Sequence, residues 1–179
     1  MINKIKRIEH LLGISFIVGS IVFILSLITI LRWQDEGFDL LEVSFMSIIS
    51  GIYFMIVIIV ANIIGLNMYI RDTIKSGHQP ILRILQIFLI FVLSFVIYLL
   101  LDSAFFIFDG SISKEYAESL LELSEKNGGK LEESSLSDFA NLPFSLQNGI
   151  ITSVFALIGS FISLPFIKRD GILIKASEY

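Results

Sequence analysis

The sequence predicts an all-α integral membrane protein, a four-helix transmembrane bundle with a short amphipathic helical insert between spans three and four. Three observations predict it. Four apolar runs, at about 11–31, 43–70, 84–108 and 146–167, approach or exceed the roughly 20 residues needed to cross a bilayer. One long polar segment, 109–145, separates the last two runs. The basic residues are segregated to alternate connections. The 179 residues are 55% hydrophobic and only 17% charged, against about a quarter charged in a soluble domain. The whole chain, 1–179, reads as one membrane domain.

The head, Met1 to His10, carries Lys4, Lys6 and Arg7. The first run, Leu11–Leu31, has no charge over 21 residues and ends at Arg32-Trp33. A signal peptide would have an apolar core of about 7–15 residues and a small-residue cleavage site, so this run reads as a retained span with Trp33 as an interface anchor. The linker 34–42 holds Asp35, Glu36, Asp39 and Glu42 and no base. The second run, Val43–Ile70, would extend roughly 42 Å at about 1.5 Å per residue, which requires tilt or protrusion from a core of roughly 30 Å. Arg71, Lys75 and Arg83 mark the next linker, and Pro80 suits a helix start. The third run is Ile84–Phe108. The fourth, Leu146–Ile167, stops at Lys168-Arg169.

Counting Lys and Arg gives nine on the side of the head, the 71–83 linker and the tail, and four on the other. By the positive-inside rule both termini are cytoplasmic and the insert faces outward. The insert holds eight carboxylates against three lysines. Ser113 is positioned to cap a helix carrying Tyr116, Leu120 and Leu121 on one face, ended by Asn127-Gly128-Gly129. A second helix is expected from Ser135, with Phe139, Leu142 and Phe144 running through Pro143 into the fourth span. The pair is expected to lie along the membrane–water boundary, offering Tyr116, Leu120, Leu121, Phe139 and Phe144 as an interaction surface.

Small residues recur four apart: Ser15/Gly19, Ser47/Gly51, Ala61/Gly65, Thr152/Ala156/Ser160 and Gly159/Ser163. Such pairs let helix backbones approach closely in lipid, so packing is the favoured reading over a lined path. Three polar residues inside the spans are candidate site residues. Asn62 should clasp a neighbouring helix. Asp102, with Ser94 and Tyr98 on its face, reads as a boundary residue or a partner of Arg32 in preference to a proton or ion relay.

The excluded chemistries follow from residue types. The chain has no cysteine, which rules out disulfides, thiolate metal sites and Fe–S clusters. His10 and His78 lie outside the spans, which disfavours haem or metal ligation. The acidic insert lacks the turn glycine and dense Asp/Asn run of a calcium loop. No phosphate loop, nucleophile elbow or His-Glu-x-x-His occurs, and nothing is basic enough for nucleic acid. The expectation is a non-enzymatic protein without catalytic residues, cofactor or metal, whose partners are membrane lipid, a second copy or another membrane protein. The alternative is a small transporter or channel-like subunit with a polar path near Asn62, Tyr98 and Asp102.

The third span running into Phe-Asp-Gly-Ser-Ile-Ser-Lys-Glu-Tyr-Ala-Glu-Ser-Leu-Leu-Glu (108–122), with Gln-Asn-Gly-Ile-Ile-Thr-Ser-Val-Phe-Ala-Leu-Ile-Gly-Ser-Phe-Ile-Ser-Leu-Pro-Phe-Ile-Lys-Arg (147–169), resembles bacterial domain-of-unknown-function family 4199. Members often carry a proline before the insert helix, where this chain has Ser111-Ile112-Ser113. The resemblance covers nearly the whole chain. It implies a small multi-pass inner-membrane protein and carries over no catalytic residue or ligand.

Overall fold

The computed structural model describes residues 2–36, 40–66, 80–126, 138 and 141–167. Among them the chain forms helices and no strand: α1 (Ile2–Glu36), α2 (Leu40–Ala61), α3 (Pro80–Phe108), α4 (Ser111–Lys126), α5 (Phe144–Gln147) and α6 (Gly149–Ser163). A π-helical turn, Asn62–Leu66, prolongs α2, and a 3-10 turn, Leu164–Phe166, closes α6. Four helices are long and apolar enough to cross a membrane: Ile8–Trp33, Phe45–Leu66, Ile84–Phe108 and Gly149–Phe166. The expected fold class is therefore observed. The end carrying α4 and α5 is called the insert end below, and the opposite one the head end.

The helices pair unequally. α1 packs chiefly on α3, and α2 chiefly on α6, with α1 against α2 joining the two pairs. Glycine explains both tight pairings. A Cβ on Gly19 would lie 2.7 Å from the Ser94 carbonyl oxygen of α3, and one on Gly159 would lie 2.8 Å from the Met55 carbonyl oxygen of α2. Gly51 meets the Phe155 ring in the same way at 2.7 Å. These contacts are backbone on backbone or ring on backbone, closer than any larger residue permits. Ser15, Ser47, Thr152, Ala156, Ser160 and Ser163 are all buried beside them. The small-residue stripes thus serve packing within the chain.

Two apolar clusters fill the bundle. The larger joins Val18, Val22, Phe54, Ile58, Ile90, Tyr98 and Ala156, with Phe54 edge-on to Tyr98 at 5.9 Å. The smaller lies at the insert end and joins Ile30, Met46, Ile112, Tyr116 and Phe144. The outward faces keep their large apolar side chains, as a lipid environment requires.

At the insert end two boundaries differ from the sequence reading. Helix α4 begins at Ser111, two residues before the expected cap, because Asp109 accepts hydrogen bonds from the Ser111 N–H at 3.1 Å and its hydroxyl at 2.6 Å. Ser113 is buried in the first turn instead. The fourth span begins at Gly149 and not at Leu146, since Asn148 breaks the helix. The second span is described as far as Leu66; 67–70 lie outside the described residues. So do Ser135, Phe139 and His78.

Candidate functional site

The buried polar residues gather at the insert end, where α5 turns the chain into α6. Pro143 fixes the entry to α5, and Phe144–Gln147 makes one helical turn. Phe144 and Ser145 are buried, so water does not reach the free N–H groups at the start of this turn. Asp102 of α3 supplies one acceptor: its Oδ2 takes the Ser145 N–H at 2.7 Å. The carboxylate is therefore a tertiary cap on α5. Ion pairs among the described residues include Lys126–Glu122, and the expected pairing of Arg32 with Asp102 is not among them.

Asn148 is the centre of a second set. Its Oδ1 accepts from the Ser47 hydroxyl of α2 and from the Tyr116 hydroxyl of α4, the latter at 2.9 Å. Its Nδ2 and its backbone N–H both donate to the Phe144 carbonyl at 3.1 Å. One amide thus ties α2, α4 and the α5–α6 junction together. Gln147 adds a third tie, with Nε2 donating to the Ser113 carbonyl at 3.3 Å and to Leu142 at 2.9 Å. Burial among these groups pushes the Tyr116 phenol above its usual value, and the Ser47 and Asn148 hydrogen bonds oppose the rise. Asp109, exposed at the start of α4, is held below the ordinary carboxylate range by Ser111.

Tyr116 and Phe144 correct the expected interaction surface. They meet edge to face at 5.1 Å and are 1% and 5% exposed, so neither is available to a partner. The apolar face of α4, with Ile112, Tyr116 and Ala117 buried, covers the end of the bundle itself and does not lie along lipid. Leu121 is half-buried. The side chain of Leu120, like Phe139 as a whole, falls outside the described set. What α4 leaves exposed is Ser111, Lys114 and Lys126 together with four carboxylates, Glu115, Glu118, Glu122 and Glu125.

Asn62 lies elsewhere. Its Nδ2 donates to the Ser163 hydroxyl at 3.1 Å, clasping the π turn to the end of α6. From Ser47 to Asn62, and equally from Asn148 to Ser163, the helices advance roughly 22 Å at about 1.5 Å per residue. The Asn62 clasp and the Asn148 set, a latch between α2, α4 and the α5–α6 junction, are at opposite ends. Tyr98 stands nearer Asp102, with its hydroxyl close to Ser26 but without a hydrogen-bond partner among the described residues. The crevice beside Asp102, lined by Phe23, Ser26, Phe105 and Phe144 among others, encloses about 10 Å³, about one water molecule's worth of space. No group of His, Asp and Glu able to hold a metal occurs among the described residues.

Sequence reasoning missed Asn148, Ser145 and the latch role of Ser47. The signal was the polar pair Gln147-Asn148 followed by Gly149, a turn pattern inside what read as the start of an apolar run. Comparison with family models, curated proteins and solved structures gives no match to this chain.

Proposed function

We propose that the chain is a non-enzymatic multi-pass inner-membrane protein that acts by association, through lipid or a membrane-protein partner. The observation that carries this reading is the separation of the intramembrane polar residues. Asn62 is engaged with Ser163 and Asp102 with the Ser145 backbone at opposite ends of the bundle, and the space at Asp102 is water-sized. A solute path requires such groups to share a hydrated interior. Here they hold helices together.

The positive-inside count supports both termini on the cytoplasmic side. The acidic face of α4 then looks outward, and a protein partner there would present complementary basic residues. The layout of four spans with an acidic insert supports membership of family 4199. The test is recovery of the tagged protein from native membranes in mild detergent, followed by mass spectrometry. A stoichiometric partner, lost when the four exposed glutamates of α4 become glutamine, is expected. A protein that returns alone, paired with solute flux abolished by Asp102→Asn, would overturn association and favour the transporter reading.

A further inference from the structure

α1 and α2 touch in one half of the bundle and part in the other. Near the insert end Ser26 donates to Ser50 at 3.4 Å, and Thr29 meets the Tyr53 hydroxyl at 3.1 Å. Toward the head end the helices diverge around a groove of about 480 Å³ between His10, Ile14, Ile17 and Ile21 on one side and Ile56–Gly65 on the other. Its walls are otherwise isoleucine, valine, alanine and glycine. At the head end the two helices meet through the His10 ring, whose Nε2 donates to the Gly65 carbonyl at 3.1 Å, and through Ile14, which lies 2.6 Å from where a Gly65 Cβ would stand and floors the groove. The π turn at Asn62–Leu66 widens the backbone there, a local feature that recurs at functional sites. Gly13 borders the mouth with nothing within 4 Å of where its Cβ would stand. It therefore serves none of the close approaches that Gly19, Gly51 and Gly159 serve.

We propose that this groove is a binding site for one acyl chain of an anionic glycerophospholipid in the leaflet at the head end. Three features select that occupant. From His10 to Ile21 the groove runs roughly 16 Å at about 1.5 Å per residue, half of a hydrocarbon core of roughly 30 Å. That is the depth of one leaflet. A transmembrane helix, whether from a partner or a second copy, spans both leaflets and would meet the closed half where Ser26–Ser50 and Thr29–Tyr53 seal the seam. Finally, Lys4, Lys6 and Arg7 occupy the turns of α1 ahead of His10, against Glu9 as the acid lining the mouth. Basic positions in the helix turns that lead into an acyl groove complement an anionic head group.

This inference names the lipid side of the association reading and rests on it, but it fails separately. The experiment reconstitutes the full chain with phosphatidylglycerol carrying a photoactivatable acyl chain, and maps the adducts by mass spectrometry. Adducts should concentrate on residues 10–21 and 56–65, and unlabelled phosphatidylglycerol should compete better than phosphatidylcholine. Val60→Trp fills the groove, whereas Val154→Trp, at a position equally exposed at 49%, adds the same bulk on α6. Labelling should fall about tenfold in the first and stay unchanged in the second, as when an apolar chain loses its seat. Adducts spread evenly over α3 and α6, or competition indifferent to head-group charge, would overturn the proposal whatever the pull-down finds. A disulfide between copies formed by paired cysteines at position 17 would overturn it in favour of a second copy. Should V60W fail to insert, the adduct map on the unaltered chain decides alone.

Discussion

The two ends of the bundle are closed by different means. At the insert end, Asp102, Asn148 and Gln147 fasten α4 and α5 to three spans with hydrogen bonds that are mostly buried. At the head end the cross-links among the described residues include Asn62–Ser163 and His10–Gly65, with Ile14 seated on Gly65, and between these and Ser26–Ser50 a groove opens on the outer face of α1 and α2. The difference teaches where this molecule spends its polar groups. In lipid, apolar contact gives no preference for protein over acyl chain. Polar groups and glycine contacts therefore decide which seams stay shut. Between such fastenings the outer face of a seam is open to lipid.

That contrast breaks most severely at glycine. Gly159→Ala would drive a Cβ into the Met55 backbone, and the loss should be about 3 kcal/mol or more, read as a lowered unfolding midpoint in detergent. Asn148→Ala leaves the Ser47 and Tyr116 hydroxyls without their acceptor, at a cost of about 1–3 kcal/mol. It should also make residues 127–140 more readily cleaved by added protease. Asp102→Asn retains an oxygen for the Ser145 N–H and should cost less than Asp102→Ala, a difference the same unfolding assay resolves.

Raising pH should sharpen the comparison from one side only. Because burial raises the Tyr116 pKa, the fold favours its neutral form. That contribution is complete below the ordinary phenol value of about 10 and is lost as pH climbs through the raised value. Phenolate absorbance should appear together with loss of the α4 cap, and Tyr116→Phe should remove the coincidence. The smallest effect belongs to the open seam. Gly13→Ala should be neutral or add up to about 1 kcal/mol from helix propensity, in direct contrast to Gly159→Ala.

The spans, the packing role of the small residues and the clasp at Asn62 were legible because each depends on a local property. Length, i and i+4 spacing and an amide in an apolar run all read directly from neighbours in sequence. The pairing of α2 with α6 was not legible, since periodicity marks a face without naming what covers it. The same ambiguity misplaced Tyr116 and Phe144. An amphipathic helix beside a membrane needs an apolar surface, and here Ile30 and Met46 of its own bundle provide one. Asn148 was hidden for the opposite reason. A pair of amides at the edge of an apolar run resembled a tolerated impurity in a span, while two of the three partners of Asn148, Ser47 and Tyr116, are distant in sequence.

The pairing of α2 with α6 also orders the protein's manufacture. Helices α1 and α3 can meet soon after they emerge, but the partner of α2 is synthesised last. At about 5–20 residues per second, α2 waits on the order of ten seconds in the bilayer with Ser47, Gly51 and Asn62 uncovered. The acidic insert is synthesised during that interval. Insertion machinery that shelters a half-made helix would have most to protect here, and a chain stopped before Gly149 would leave that face bare.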